Sequence, residues 1–310
     1  MSHATSAPMI LATSLVPGRD EALQRTNVES WQTLGFEVLS INGANEAQAL
    51  EGRYPGVRIV VAQKTAERVA RKPVPHIHDL LNALRTRCDE QDTARDQCIV
   101  GIINADIYLR PVANLTETIH AQTPGALVLG PRVDVNDASA FKTYRPTGSE
   151  AYSVGYDYFL MSGDLLDDFA ESPFAMGMPF WDYWLPLVAL LQGRPLKSLN
   201  APIALHVQHD AQWDDAIYLF FHSLVAYVIE LCRKTVGKDQ SAAARQFDFL
   251  FDVLSHVYGR AFTQGTAPGK DSPAPDTAGI TALADFYDRF QEVAVHHIKS
   301  RAEAIAVSEA

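Results

Sequence analysis

Residues Cys98–Leu109 read CIVGIINADIYL, an apolar run that ends abruptly in Asn104-Ala105-Asp106. A short continuous apolar run bounded by polar residues is the pattern of a strand covered on both faces, and parallel α/β sheets place ligands outside the carboxyl ends of such strands. The reading therefore puts Asp106 at a strand tip, aimed into a site. The plainer alternative is an Asx turn, in which Asn104 and Asp106 bond only the local backbone.

The residues upstream repeat a strand-and-helix grammar. Met9–Leu15 reads as a first strand that ends in Thr13, Ser14 and the loop signal Pro17-Gly18. Asp20–Leu34 carries helical spacing through Leu23, Val28 and Trp31 and stops at Gly35, a natural helix end. Phe36–Ile41 is a second strand closed by Asn42-Gly43, Asn45–Leu50 a short helix, and Val57–Val61 a third strand after Pro55-Gly56. Pro75–Cys88 places Ile77, Leu80, Leu81 and Leu84 on one helical face and leads into a strand over Cys98–Asn104. Alternation of this kind predicts a βαβ sheet with right-handed crossovers.

Downstream, a helix from about Pro111 and a strand over Ala126–Val133 are expected, then a polar, turn-rich loop over Asn136–Gly155 that lies above a site. Tyr156–Met161 reads as a strand, Asp164–Phe169 as a short helix, Phe174–Leu191 as an aromatic segment, and Pro195–Leu199 and Ile203–Val207 as two short strands. From Trp213 the character becomes helical, with helices over Ala216–Cys232, Gln246–Val257 and about Ile280–Ile305 and a Pro/Gly/Ser/Asp linker over Gly265–Gly279. The expected organisation is a catalytic α/β domain over 1–212 and a helical region over 213–310 that carries no chemistry.

Composition narrows the function classes. The chain of 310 residues has a net charge of −11, so a broad attraction to nucleic acid or anionic membrane is excluded, and any phosphate needs local cations or a metal. Three scattered cysteines, Cys88, Cys98 and Cys232, form neither a zinc pattern nor a disulfide framework. The polar segment Met1–Pro8 lacks the basic and apolar regions of a signal peptide, and no apolar stretch is long enough for a membrane span. A cytoplasmic location is expected.

The chain contains neither GxGxxG nor the pattern GxxxxGK[ST], and the first loop, Thr13–Arg19, offers one glycine. A classical dinucleotide or P-loop phosphate cradle is therefore not expected. A carboxylate-bound divalent cation is the natural substitute, since Mg²⁺ and Mn²⁺ take oxygen ligands and neutralise a departing diphosphate.

Four segments in order carry a family resemblance: Ile10–Ser14, Ser30–Phe36 (SWQTLGF), Asn104–Ile107 (NADI) and Gly177–Trp184 (GMPFWDYW). Over about residues 9–215 the chain resembles bacterial glycosyltransferases of the GT-A, nucleotide-diphospho-sugar transferase type. The resemblance implies a Rossmann-type, mostly parallel mixed sheet flanked by helices, here with a helical C-terminal extension. It implies that the strand after the third helix ends in a DxD motif holding metal and donor diphosphate. This chain has NxD instead, so Asp106 carries over as the metal carboxylate, Asn104 as a hydrogen-bonding partner of the donor, and a metal-independent variant stays open. Thr13 and Ser14, Lys72 ahead of the third helix, and Arg132 fall on the expected donor side; Lys142 and Arg145 bracket the polar loop. Solvated surface is the common fate of such cations.

The second constellation is Phe180-Trp181-Asp182-Tyr183-Trp184, followed by His206-Val207-Gln208-His209. The resemblance implies that an acid at the start of a late helix deprotonates the acceptor and that a histidine completes the metal shell, which matches Asp182 and His206 or His209. An acid among aromatic rings also suits a sugar surface, since rings stack on pyranose faces while hydroxyls bond the carboxylate. Trp181, Tyr183, Trp184 and Asp157 are therefore expected at the acceptor. The alternative makes the rings core and Asp182 an N-cap. The i, i+3 spacing of the histidines on a strand end predicts that at most one of them faces the site.

The reading that gathers these features is a cytoplasmic, metal-assisted inverting glycosyltransferase, using Mn²⁺ or Mg²⁺ and moving a sugar from a nucleotide-diphosphate donor to a glycan, lipid-linked glycan or protein. The C-terminal helices offer a surface for self-association. Two other readings compete: a nucleotidyltransferase that makes a nucleotide sugar, of which Pro17-Gly18-Arg19 is a faint echo, and a non-catalytic sugar-binding scaffold.

Overall fold

The computed structural model describes residues 7–153, 155–209, 216–235, 238–241, 244–246, 248–249 and 275–307. Its centre is an eight-stranded mixed, mostly parallel sheet in the order β11-β9-β6-β8-β4-β1-β2-β3. The central strands β1 (Met9–Thr13), β4 (Ile99–Ile103) and β8 (Tyr158–Ser162) are buried at every residue. Both faces of these strands are covered, which is why their sequences are continuous apolar runs rather than alternations. β1 pairs in parallel with β2 (Glu37–Asn42) and with β4, and β2 with β3 (Val57–Val61), while β8 runs antiparallel to β4 and to β6 (Leu127–Leu129). The expected sheet class is the observed one.

Helices α1 (Glu21–Thr33), α2 (Ala44–Leu50), α3 (Glu67–Ala70) and α4 (Ile77–Asp89) fill the crossovers of the first half. α4 buries Ile77, Leu80, Leu81 and Leu84, the face its spacing predicts, and Trp31 of α1 is fully buried on the other side of the sheet.

Three departures from the sequence reading shape the site. The expected strand Ala126–Val133 is divided at Gly130-Pro131 into β6 and β7 (Arg132–Val135), which belong to different sheets. A strand that sequence reading left out, β5 (Ile107–Leu109), follows Asp106 directly. With β10 (Ala204–Val207), β5 and β7 form a second, three-stranded sheet in the order β5-β10-β7. The helix expected from Pro111 begins later, as α5 (Leu115–Gln122), and the polar loop contains one short helix, α6 (Ala140–Thr143).

The C-terminal part joins the same body. α7 (Trp181–Leu191) and α8 (Ala216–Thr235) share one apolar cluster, in which Phe220, Phe221, Leu224 and Val228 meet Phe290, Val293, Ala294 and Ile298 of α9 (Pro275–Arg301). The tail read as the end of a helix instead forms β11 (Glu303–Ile305), which extends the large sheet in parallel against β9 (Leu196–Leu199). The expected helix over Gln246–Val257 falls largely outside the described residues, as does the linker up to residue 274; residues 275–279 are helical. No described helix is long and apolar enough to cross a membrane.

Candidate functional site

The small sheet assembles the site. Its antiparallel pairing sets His206 of β10 opposite Ile107, the residue after Asp106, and its parallel pairing sets His206 opposite Asp134 of β7. α1 fixes the turn between the two sheets through three side chains. Asn27 Nδ2 donates to the Ala105 carbonyl (3.0 Å), the Trp31 indole N–H to the Ile107 carbonyl (3.0 Å), and the Ser30 hydroxyl accepts the Leu109 amide (3.1 Å). The SWQTLGF segment thus matters as an anchor for the Asn104–Asp106 turn.

Asp106 faces two imidazoles. His209 Nε2 lies 3.4 Å and His206 Nε2 3.6 Å from its Oδ2, and one ligand atom from each of the three residues fits within a 4.8 Å span. Burial alone would raise the Asp106 carboxyl; the hydrogen bonds and charges of the two histidines outweigh it and hold the group well below the ordinary carboxylate range. Both histidines reach the site, against the expectation of one. β10 ends at Val207, so the chain turns before His209 and the strand's alternation no longer governs it; the two rings meet edge to face at 4.9 Å.

The residues fit a divalent cation. Asp106 Oδ1 is buried with no hydrogen-bond partner while its Oδ2 faces two imidazole nitrogens, the arrangement of a ligand set rather than of a satisfied turn carboxylate. One oxygen and two imidazoles suit Mn²⁺ better than Mg²⁺, for which imidazole is not a preferred ligand.

Beside this cluster, Asn104 Nδ2 donates to Asp157 Oδ1 (2.7 Å) and Arg132 donates to Asp157 Oδ2 (2.7 Å). Arg132 Nε also lies 3.2 Å from Asp134 Oδ1. Asp157, expected at the acceptor, is 7% exposed with both oxygens engaged, and Arg132, expected at the donor, bridges two carboxylates. Burial raises the Asp157 carboxyl and the Arg132 charge pulls it back. These residues form an internal brace beside the Asp106 cluster.

Asp182 occupies the first turn of α7, entered through Phe180 at φ 75°, a conformation bulky residues rarely hold. Loop residue Gly155, at φ +96°, passes so close that a Cβ there would sit 2.9 Å from Asp182 Oδ2. Burial and the neighbouring Asp157 charge push the Asp182 carboxyl up to about 7, against backbone amides of Tyr156, Asp182 and Tyr183 that favour its ionised form. Its ring neighbours are not an open platform. Trp181, Tyr183 and Trp184 are 2%, 6% and 0% exposed and belong to the main core, with Trp184 against Phe169 and Phe174, so their acceptor-stacking role is corrected to packing. Apolar spacing along a helix signals burial as well as it signals a sugar surface, and here burial won.

On the other rim, the Thr13 hydroxyl is buried without a partner at the end of β1, and Ser14 accepts from Asn42 Nδ2 (3.2 Å). Lys72 is exposed on the loop ahead of α4, whose neighbour Pro73 packs against Gly43 at the end of β2. Lys142 and Arg145 are exposed. Sequence reading missed Asp134 and the buried Asn42, which bonds Leu15 and Ser40 beneath the rim. Alternation in Arg132-Val133-Asp134-Val135 was the available signal for Asp134.

Neither a protein-family model nor a curated protein matches the chain. Among solved structures it is similar to a mannosyltransferase from Pyrobaculum calidifontis in complex with GDP-Man and Mn²⁺, at 14% identity and TM-score 0.44 over 96% of this chain and 88% of that one. It is also similar to an inositol-1-phosphate CTP transferase from T. maritima (11%, TM-score 0.40, 71% of this chain and 97% of that one). A 4-diphosphocytidyl-2C-methyl-D-erythritol synthase from Anaerococcus prevotii follows at 11% and 0.36, over 72% and 99% of the two chains.

Proposed function

We propose that this chain is a metal-assisted, inverting glycosyltransferase that moves a sugar from a nucleotide-diphosphate donor to a hydroxyl-bearing glycan, lipid-linked glycan or protein. The observation that carries the reading is the convergence of Asp106, His206 and His209 just past the end of β4, with Asp182, whose carboxyl is pushed up to about 7, within reach of the Asp157 charge beside that cluster. Asp106, His206 and His209 would hold the cation, which when bound neutralises charge on the departing diphosphate. Thr13, Ser14 and Asn104, at the ends of β1 and β4, would contact the donor, and Lys72, exposed ahead of α4, would act as a point charge toward phosphate.

Asp182 takes the proton of the acceptor hydroxyl as that oxygen forms its bond to the anomeric carbon. The bond from that carbon to the diphosphate breaks on the opposite face, so the configuration inverts, the proton stays on Asp182 and the negative charge leaves with the nucleotide. A carboxyl at about 7 is matched to this task, because about half of it is ionised near neutral pH and that form is basic enough to accept the proton.

Incubation with a panel of nucleoside diphosphate sugars plus Mn²⁺, read by release of nucleoside diphosphate, tests the reading. Turnover of one such donor is expected. Consumption of a nucleoside triphosphate with release of pyrophosphate, and no turnover of any diphosphate sugar, would replace it with the nucleotidyltransferase reading.

A further inference from the structure

Asp134 belongs to none of the expected roles, yet it lies in hydrogen-bond contact with His206 of the candidate metal cluster. His206 Nδ1 and Asp134 Oδ1 are 2.8 Å apart, on residues that the parallel β7–β10 register places side by side. His206 is 3% exposed, so its ring is held within the protein and cannot exchange this partner freely with water. An ionised carboxylate only accepts hydrogen bonds, so the contact requires the imidazole proton on Nδ1. In the neutral ring Nε2 then carries the lone pair that a cation takes in place of a proton, and Nε2 is the atom that faces Asp106 Oδ2 at 3.6 Å. Asp134 is itself held by Arg132, whose Nε lies 3.2 Å away and whose other arm is fixed to the buried Asp157.

We infer that Asp134, braced by Arg132, is a positioning residue that locks His206 in the tautomer and orientation needed to bind a divalent cation through Nε2. The inference rests on the proposed cation site and deepens it. A carboxylate on the far nitrogen also raises the basicity of a metal-binding imidazole, and loss of such a partner typically costs about 10- to 100-fold in metal affinity.

The test uses the full chain and Mn²⁺ alone, with no nucleotide, titrated by the electron paramagnetic resonance signal of the free ion. Histidine ¹⁵N resonances of the metal-free protein report the tautomer independently. At a pH where the ring is neutral, wild type is expected to hold His206 with the proton on Nδ1. Asp134→Ala is expected to let His206 populate both tautomers and to weaken Mn²⁺ by about 10- to 100-fold. Asp134→Asn keeps the shape and an accepting oxygen, so it should fold even if Asp134→Ala does not, retain the tautomer more fully and lose less affinity. Mn²⁺ binding in both variants as tight as in wild type, or an unchanged tautomer in Asp134→Ala, overturns the role of Asp134 alone. A wild type that binds Mn²⁺ no better than Asp106→Ala removes the cation site, and this role with it.

Discussion

The two sheets of this molecule divide its labour. In the large sheet, β1, β4 and β8 are buried along their whole length, and Gly101 in β4 is so enclosed that a Cβ would meet the Phe159 carbonyl and the Leu160 side chain at 2.6 Å. In the small sheet β5 is buried at every residue and β10 is buried through His206, and only β7 alternates, with Val133 and Val135 buried and Asp134 exposed. Tyr108, Val133, Val135 and Leu205 pack with Phe141, while Asp134 and His206 are paired across β7 and β10 beside Asp106. The buried strands β1, β4 and β8 are apolar along most of their length, whereas β7 alternates and turns Arg132 and Asp134 away from the core, beside the one buried histidine of β10. Stability and chemistry are therefore separable, and variants can be chosen to damage one without the other.

The largest effect is expected at Asp182, which lies on neither sheet and belongs with the chemistry. Asp182→Asn keeps size and capping ability but cannot take a proton, so transfer should slow by about 10²- to 10⁴-fold with donor affinity unchanged, as steady-state kinetics would record. The wild-type rate should rise through pH 7 and level off above it as Asp182 ionises. Stability has the opposite sign. The folded carboxyl is raised from 3.8 to about 7, so the protonated form is favoured by folding and that contribution fades as pH rises from about 4 through 7. Wild type should thus lose stability between pH 5 and pH 8 that Asp182→Asn keeps, and parallel pH profiles of melting temperature in the two proteins would count against a raised Asp182.

Damage to the scaffold should look different. Gly101→Ala overpacks the large sheet and is expected to cost about 1–3 kcal/mol in urea unfolding, with Mn²⁺ affinity of the folded protein unchanged. Trp31→Phe sits between the two cases. It keeps an aromatic ring in the core and orphans the buried Ile107 carbonyl, at about 1–3 kcal/mol, and because that carbonyl follows the Asp106 turn it should also weaken Mn²⁺ binding. Lys72→Ala, on the exposed rim, should raise the donor dissociation constant by no more than about fivefold, in line with the roughly 1 kcal/mol ceiling of exposed charge contacts.

The same division explains what the sequence disclosed. β1, β4 and the buried faces of α1 and α4 were legible because long apolar runs and a 3.6-residue period are local signals. Asp106 was legible as a polar residue where an apolar run stops. The small sheet was not legible as a sheet, although its strand β10 was read as Ile203–Val207, because β5 spans three residues directly after the Asp106 turn and because Gly130-Pro131 divides one apolar run between two sheets. β11 was hidden in the charged tail, where a three-residue parallel edge depends on β9 for its pairing. The aromatic segment around Asp182 misled for a physical reason: a ring that stacks on a sugar and a ring that fills a core have the same composition, and only burial separates Trp184 from a binding platform.

Everything at the small sheet turns on whether Asp106 holds a cation for a nucleotide. The direct measurement is calorimetric binding of GDP and of UDP to the full chain with Mn²⁺ and with chelator, in wild type and in Asp106→Asn. The account predicts that one of the two nucleotides binds wild type with Mn²⁺, and that both chelator and Asp106→Asn abolish that binding while the protein stays folded. Nucleotide affinity that is the same with chelator and in Asp106→Asn would contradict it.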